Sequence, residues 1–262
     1  MKGFGEHQKS KKKKVSKKVT KLSQKQIINQ AIQFHIRGNI KEATKYYQEL
    51  INQGCNDHRI FSNYGVILKD LGKLQEAELS TRKAIQIKPD FVSAHWNLYG
   101  LANTFEEAEK RINLCLKVDK NSLPAKFTLS ALKLHQGDQS LFDNLIKSTH
   151  KDHPITRSIK WVSTLPKLPE LFFHRWALFD SMINKSQKDR PFYEFGVWRG
   201  ESFKYLINTF KKGYGFDTFE GLPEDWHQEK QGTYSADGFI PKIAGGTFIA
   251  GKFEDTLPTF FA

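Results

Sequence analysis

The sequence predicts a chain in two parts, an α-helical solenoid of stacked hairpins followed by a partial α/β unit with a parallel sheet. Three observations lead to this fold class. Residues 24–57 and 58–91 repeat one pattern at an offset of 34 positions. Amphipathic helical spacing then continues to about residue 188. At 193–207 the run YEFGVWRGESFKYLI instead indicates a buried strand, a glycine-bearing turn and an amphipathic helix.

The positive charge of the chain is concentrated at its start. The formal net charge is +13, and residues 1–26 carry ten lysines against one acid, Glu6, which gives +9 there and leaves +4 for the other 236 residues. A lysine-rich run with few apolar residues cannot bury enough surface to fold. We therefore predict a basic disordered tail over residues 1–23. Its charge suits a solubilising role, or contact with nucleic acid or acidic lipid, but no aromatics interrupt its lysine runs, so no dedicated nucleic-acid site is predicted.

Other features of the composition argue against several classes of protein. No apolar run approaches the ~20 residues that a membrane-spanning helix needs, and the charged N-terminus lacks the apolar core of a secretory signal. The two cysteines, Cys55 and Cys115, are far apart in sequence and form no C-x-x-C pair. This usage predicts a reducing, cytoplasmic location and argues against a structural zinc site.

The 34-residue pattern has a direct structural meaning. Small residues at the eighth and twentieth positions allow the two helices of a hairpin to approach closely, and a glycine at the fifteenth ends the first helix with positive φ. The aligned pairs are Ala31 with Gly65, Phe34 with Leu68, Gly38 with Gly72, Ala43 with Ala77, and Leu50 with Ala84. Residues 58–91 in particular resemble the tetratricopeptide repeat. The resemblance implies a solenoid of such repeats over 24–122, with a concave groove that binds a protein or peptide.

Two stretches depart from the repeat pattern. A third unit begins at residue 92, but it is about three residues short and has Tyr99 where glycine is expected. Residues 123–138 resemble a decayed fourth unit. We place them at the start of a helical linker region over 123–188.

No metal site and no separate catalytic set is predicted from the residues. His150 and His153 are three residues apart, a spacing that suits a metal on one helix face, but the adjacent Pro154 favours a surface turn. The chain has no G-x-S-x-G motif, neither cysteine has an obvious histidine partner, and His227 stands alone in a polar loop.

The strand, turn and helix begin a predicted α/β unit over 189–262. Gly196 and Gly200 lie in the turn, where glycines let a ligand approach backbone N–H groups and the positive end of a helix. A second short strand ends in Asp217, where nucleotide-binding α/β units hold ribose hydroxyls. A third strand-like piece covers 245–253. The order β-α-β-loop-β predicts a parallel sheet that binds its ligand at the carboxyl ends of the strands.

Three ordered motifs sharpen this interpretation. They are EFGVWRG (194–200), DTFEGLP (217–223) and DTLP (255–258). Together they resemble the class I S-adenosylmethionine-dependent methyltransferases, which have a Rossmann-like sheet, and most of all the macrocin O-methyltransferases. The match covers about 70 residues of the chain.

The resemblance implies S-adenosylmethionine as cofactor and gives roles to the matching positions. Glu194 and Gly196 would line the methionine end of the cofactor, Gly200 would allow its close approach, and Ser202 would bond the methionine carboxylate. Trp198 would form a wall of the pocket, and Asp217 would hold the ribose. Gly251 to Phe253 would lie near adenine, with Phe253 counted among the cofactor-binding residues. The polar loop over 224–239 is implied to be a lid or a substrate loop.

The main functional hypothesis is an S-adenosylmethionine-dependent O-methyltransferase that acts on a hydroxyl acceptor such as a sugar and carries a protein-interaction scaffold. In related enzymes a divalent metal and a base on a fourth strand assist the reaction, and that strand would begin after Ala262. We therefore expect a truncated domain whose metal ligands are not in this chain, and no catalytic residue is assigned. The alternative hypothesis is a protein-binding repeat scaffold with a non-catalytic methyltransferase remnant.

Overall fold

The computed structural model describes residues 23–262, so the predicted basic tail lies outside the described residues except for Ser23, the N-cap of the first helix. The described chain begins with eight helices that pack as four consecutive hairpins. They are α1 (Gln24–Ile36), α2 (Ile40–Asn52), α3 (His58–Asp70), α4 (Leu74–Ile87), α5 (Val92–Tyr99), α6 (Phe105–Val118), α7 (Leu123–His135) and α8 (Ser140–Ile146).

The spacing of the hairpins follows the sequence repeat. Their first helices begin at residues 24, 58, 92 and 123, which gives spacings of 34, 34 and 31. This confirms that the third unit is three residues short. Helix α5 has 8 residues, whereas α1 and α3 have 13 each. Residues 123–146 form a fourth hairpin that continues the stack.

Small residues allow the helices of each hairpin to cross closely. Ala31, Ala43, Ala77 and Ala84 are completely buried. A Cβ added to Gly65 would lie 2.5 Å from Thr81 Oγ1, so the space that a side chain would need is already filled by α4. The small residues predicted at the eighth and twentieth positions are therefore confirmed as the contact points of the hairpins.

The turn glycines also have the predicted conformation. Gly38 and Gly72 follow the ends of α1 and α3 with φ of +71° and +77°. Gly137 takes the same place after α7, with φ of +92°. Residues other than glycine rarely adopt this region, which explains why the repeat requires glycine there.

Two further helices connect the stack to the sheet. Helix α9 (Pro154–Ser163) packs on α7, and α10 (Arg175–Lys185) follows an irregular segment. His153 is the N-cap of α9 and His150 lies in the turn before it: His153 Nδ1 accepts a hydrogen bond from Ile155 N at 3.2 Å, and both rings contact Phe127. Within residues 23–262, no helix has both the length and the apolar character that crossing a membrane requires.

The C-terminal unit is a three-stranded parallel sheet in the order β1-β2-β3. Its elements are β1 (Phe192–Phe195), α11 (Glu201–Phe210), β2 (Gly213–Asp217), β3 (Gly246–Ala250) and α12 (Phe253–Phe261). Helix α11 packs on one face through Phe203, and α12 packs on the other through Phe260. The predicted order of elements and parallel sheet are confirmed. The DTLP motif, which follows the third strand as expected, lies within α12.

The sheet is joined to the hairpin stack through Trp176 of α10. The buried indole donates from Nε1 to the carbonyl of Lys69 at 2.7 Å, and its ring lies over Gly72 in the turn of the second hairpin. On its other side the ring contacts Tyr205 of α11, with centroids 4.8 Å apart. One aromatic side chain thus holds α3, α10 and α11 together.

The close crossing at Gly65 gives a stability prediction. Gly65→Ala should lower the free energy of unfolding by about 1–3 kcal/mol, because overpacking against Thr81 outweighs the roughly 1 kcal/mol that alanine contributes to helix propensity. The measurement is urea unfolding followed by circular dichroism.

Thr81→Ala supplies the control, since it removes the oxygen that an added Cβ would meet first. In the double variant the loss caused by Gly65→Ala should be smaller than in the wild-type background. Additive losses, or a Gly65→Ala variant as stable as the wild type, would contradict the packing described here.

Candidate functional site

One cavity of the described chain lies at the carboxyl ends of the strands, and a second one, treated below, lies in the hairpin stack. This strand-end cleft has a volume of about 540 Å³. It is bounded by the ends of β1 and β2, the loop after β2, Tyr234 from the 224–239 loop, and the start of α12. Four residues predicted from the sequence line it: Gly196, Trp198, Asp217 and Phe253.

Asp217 holds two backbone segments together at the base of the cleft. Its Oδ2 accepts a hydrogen bond from Trp198 N at 2.7 Å, and its Oδ1 accepts one from Phe219 N at 2.8 Å. Each carboxylate oxygen has two lone pairs, so both can accept a further bond from a ligand. The carboxylate therefore ties the end of β2 to the β1–α11 turn and is still able to hold hydroxyl groups.

Trp198 forms the wall between the cleft and the hairpin stack. Its φ of +52° is uncommon for a residue other than glycine, and the turn is held by the Asp217 bond and by an indole N–H that donates to Ser235 O at 3.2 Å. The ring lies against the turn between α1 and α2, where a Cβ added to Gly38 would be 3.3 Å from Cζ2. The cleft is thus built partly on the first hairpin.

Phe253 and Gly196 provide the open part of the cleft. Phe253 begins α12 and is 43% exposed, with its ring perpendicular to that of Phe195. Gly196 has φ of +88°, and a Cβ placed on it would meet nothing within 4 Å. These two residues leave room for a flat ligand to lie against an aromatic ring.

The three remaining predicted residues do not line the cleft. Ser202 donates its hydroxyl to Glu194 Oε1, and the other oxygen of that carboxyl is buried without a partner. Burial raises the pKa of Glu194. Gly200 is covered by the 239–245 loop, because Pro241 and Ile243 lie 3.2 Å from the position of an added Cβ.

Several cleft residues were not identified from the sequence. They include Thr218, Leu222 and Tyr234, whereas Lys252, which also lines the cleft, lies within the stretch from Gly251 to Phe253 that was predicted near adenine. Thr218 and Leu222 fall within the DTFEGLP motif that was recognised as a unit, and Tyr234 is one of three aromatic residues in the otherwise polar 224–239 loop, with Trp226 and Phe239. These signals were present, but only the folded loop shows that the side chains meet.

The second cavity lies among the first helices of the hairpins, and we call it the inner groove. It has a volume of about 510 Å³. Its lining is almost entirely apolar and comes from three helices and the segment after them: Trp96 and Tyr99 of α5; Pro124, Phe127, Ala131 and Leu134 of α7; Ile155, Ile159 and Val162 of α9; and Leu168, Leu171, Phe172 and Phe173. The α7 residues recur every three or four positions and so form one helix face.

Residues 165–174, LPKLPELFFH, cover one side of the inner groove, and we call them the covering segment. The carbonyl of Pro169 accepts a hydrogen bond from His135 Nε2 at 3.0 Å, at the end of α7. The ring of Phe173 contacts those of Tyr99 and Phe105. The groove is therefore bounded on one side by helices and on the other by irregular chain.

No family model matches the chain, but two curated proteins are similar to part of it. A peroxisomal targeting signal receptor from Saccharomyces cerevisiae is 32% identical over 163 residues, which cover 60% of this chain and 22% of that protein. An Hsp70–Hsp90 organising protein from Plasmodium falciparum is 31% identical over 100 residues, 37% of this chain and 39% of its own. The matches thus span well under half of either relative.

A solved structure of a mutant Thermobaculum terrenum O-GlcNAc transferase aligns with a TM-score of 0.41 at 12% identity, over 74% of this chain and 37% of its own. The two curated relatives contain tetratricopeptide repeats, and they support tetratricopeptide repeats as the description of the helical part. The methyltransferase resemblance receives no support from these comparisons and stays a prediction.

The buried carboxyl of Glu194, whose Oε2 has no partner, gives a prediction about pH. Because burial raises its pKa in the folded protein, this group favours folding most when protonated, and that contribution is lost as the pH rises from about 4.5 through the raised value. Glu194→Gln keeps an acceptor for Ser202 without the charge. We expect the variant to match the wild type at about pH 4 and to be more stable at about pH 7.5.

Urea unfolding midpoints at the two pH values measure this difference. Glu201→Gln is a suitable control, because that neighbouring carboxylate lies at the surface in an ion pair with Lys204. A Glu194→Gln variant that is less stable than the wild type at neutral pH would show that the charged form is stabilised by its surroundings.

Proposed function

We propose that this chain is a protein-interaction scaffold whose inner groove binds a peptide or an extended segment of another protein. The single observation that carries the proposal is the groove itself, an apolar cavity lined by α5 and α7, the first helices of the third and fourth hairpins, and by α9 and the covering segment. Aromatic and aliphatic side chains line it, and cavities of this kind bury the side chains of a bound peptide.

The similar proteins support the same reading. One is named as a receptor for a targeting signal and the other as an organiser of two further proteins. Both names describe recognition of another polypeptide. The segments matched in this chain cover 60% and 37% of its length.

A second candidate function is supported by the strand-end cleft. We propose that the cleft binds a nucleoside-containing ligand, with S-adenosylmethionine as the cofactor implied by the motifs. Asp217 can accept bonds from ribose hydroxyls, Phe253 offers a ring for adenine, and Gly196 leaves open space in the same cleft. S-adenosylmethionine would supply an electrophilic methyl group for transfer to a hydroxyl acceptor.

The cleft residues suit the nucleoside part of S-adenosylmethionine, but Glu194 and Ser202, which were predicted for its methionine part, do not line the cleft. Glu194 and Ser202 bond to each other, and Gly200 is covered by Pro241. The residues present would therefore hold the ribose and the base, whereas the position of the methionine group is not built by the side chains that the motif suggested. This is why peptide binding, rather than methyl transfer, is the leading proposal.

Peptide binding is tested with a phage-displayed library of random dodecapeptides selected on the full chain. Two variants of α9 form a matched pair: Ile155, 44% exposed, lines the inner groove, whereas Trp161, 65% exposed, does not. Peptides that are enriched should bind the wild type and Trp161→Glu alike. They should bind Ile155→Glu at least about tenfold more weakly, because a carboxylate would be desolvated in an apolar groove.

Anisotropy of fluorescent peptides gives the dissociation constants. A library that yields no binder to the folded chain would contradict the proposal. Binders that do not distinguish Ile155→Glu from Trp161→Glu would place their site elsewhere and would also contradict it.

Nucleoside binding is tested by calorimetric titration with S-adenosylmethionine. Phe253→Ala should weaken binding by about tenfold, since stacking of a base on an aromatic ring contributes about 1–3 kcal/mol. Phe261→Ala is the control, because that residue is 57% exposed on the same helix and lies outside the cleft. No saturable heat with a folded wild-type protein, or equal losses in both variants, would rule out this use of the cleft.

A further inference from the structure

The covering segment lies on the inner groove in the manner of a bound peptide. Residues 165–174 contain no helix or strand, and two prolines, Pro166 and Pro169, keep the backbone from folding into a helix. An extended chain of this kind has backbone groups that its own secondary structure does not satisfy. They must bond to solvent or to the surface on which the segment lies.

The contacts of the segment follow the hairpin stack in reverse order. Pro169 O accepts from His135 at the end of α7, and further along His174 Nε2 donates to Asn103 Oδ1, at 3.2 Å, after the end of α5. Trp176 then reaches Lys69 at the end of α3. The covering segment therefore crosses the ends of α7 and α5, the first helices of the fourth and third hairpins. It bonds to one polar side chain near each of these ends before α10 begins.

Its apolar side chains line the groove. Leu168, Leu171, Phe172 and Phe173 all line the cavity, opposite the aromatic residues of α5 and α7. They fill the groove only in part, since a volume of about 510 Å³ is left. Leu171 is still 37% exposed, so its contact is incomplete.

We infer that the covering segment is an internal occupant of the inner groove, and that the groove selects an extended, proline-containing peptide rich in leucine and phenylalanine. This inference rests on the proposed peptide-binding function and names the class of partner and its regulation. The chain itself contains one peptide of this chemistry, residues 165–174, and an external peptide has to compete with it for the inner groove.

The competition has a simple energetic form. An occupant tethered on both sides has a high effective concentration, commonly in the millimolar range for short flexible connections. The apparent affinity of an external peptide equals its intrinsic affinity multiplied by the fraction of molecules in which the groove is open. Weakening the segment should therefore strengthen external binding without any change in the helices that line the groove.

The test uses a fluorescent peptide with the sequence of residues 165–174 and the full chain. In the variant Leu168→Ser/Leu171→Ser/Phe172→Ser the segment loses three of the four apolar side chains that line the groove, and the peptide should bind at least tenfold more tightly than to the wild type. The same triple replacement in the peptide should abolish binding. Adding Ile155→Glu to the protein variant should also abolish it, because the charge lies in the groove.

A milder variant keeps the test valid if the triple variant does not fold. Leu171→Ser removes a half-exposed side chain, and circular dichroism should show an unchanged fold with an intermediate gain in affinity. A peptide that binds neither folded variant, or that binds wild type and variants equally, overturns the inference. If library-selected peptides still bind the groove in that case, the proposed function stands and only the internal occupant is rejected.

Discussion

The arrangement of the described residues depends on the contact between Trp176 and the turn of the second hairpin. The turn glycine, Gly72, presents no side chain, so the indole can lie directly on the backbone, and its N–H satisfies the carbonyl of Lys69 at the end of α3. The other side of the ring receives Tyr205 of α11. A buried aromatic of this size contributes several kcal/mol to packing, and here it sets where the sheet lies relative to the stack.

A similar contact brings the strand-end cleft against the stack. Trp198 lies on the turn at Gly38 as Trp176 lies on the turn at Gly72. The two glycines have the same place in successive repeats, so the spacing of the repeat also spaces the two tryptophans. Each of these two hairpins needs a glycine for its own turn. Gly38 and Gly72 also form part of the surface on which the C-terminal unit and α10 dock.

The sequence predicted those parts of the structure that arise from local rules. Buried small residues and turn glycines recur at a fixed period, and the alternation of strand, glycine turn and helix indicates a parallel sheet. It did not predict that Glu194 would bond to Ser202, nor that Trp198 would meet Gly38. Such contacts depend on how distant elements dock, and residues 165–174 have no periodicity from which their place on the groove could be deduced.

The irregular third repeat explains why the groove is aromatic. Tyr99 has the sequence position of Ala31 and Gly65, where a large side chain would not fit between crossing helices. Helix α5 ends at this residue after 8 positions, and the ring packs instead beside Trp96 and Phe173. The departure from the repeat that weakened the sequence match therefore creates part of the apolar surface on which a peptide would bind.

The connections on either side of the covering segment determine what its release would change. Helix α9 ends at Ser163 and α10 begins at Arg175, so the 11 residues between them can span up to about 36–40 Å when extended. Trp176 follows directly and stays fixed by its own contacts with α3 and α11. The segment can therefore leave the groove while the sheet remains docked, and because the cleft wall at Trp198 rests on the first hairpin, a peptide that enters the groove need not disturb the cleft.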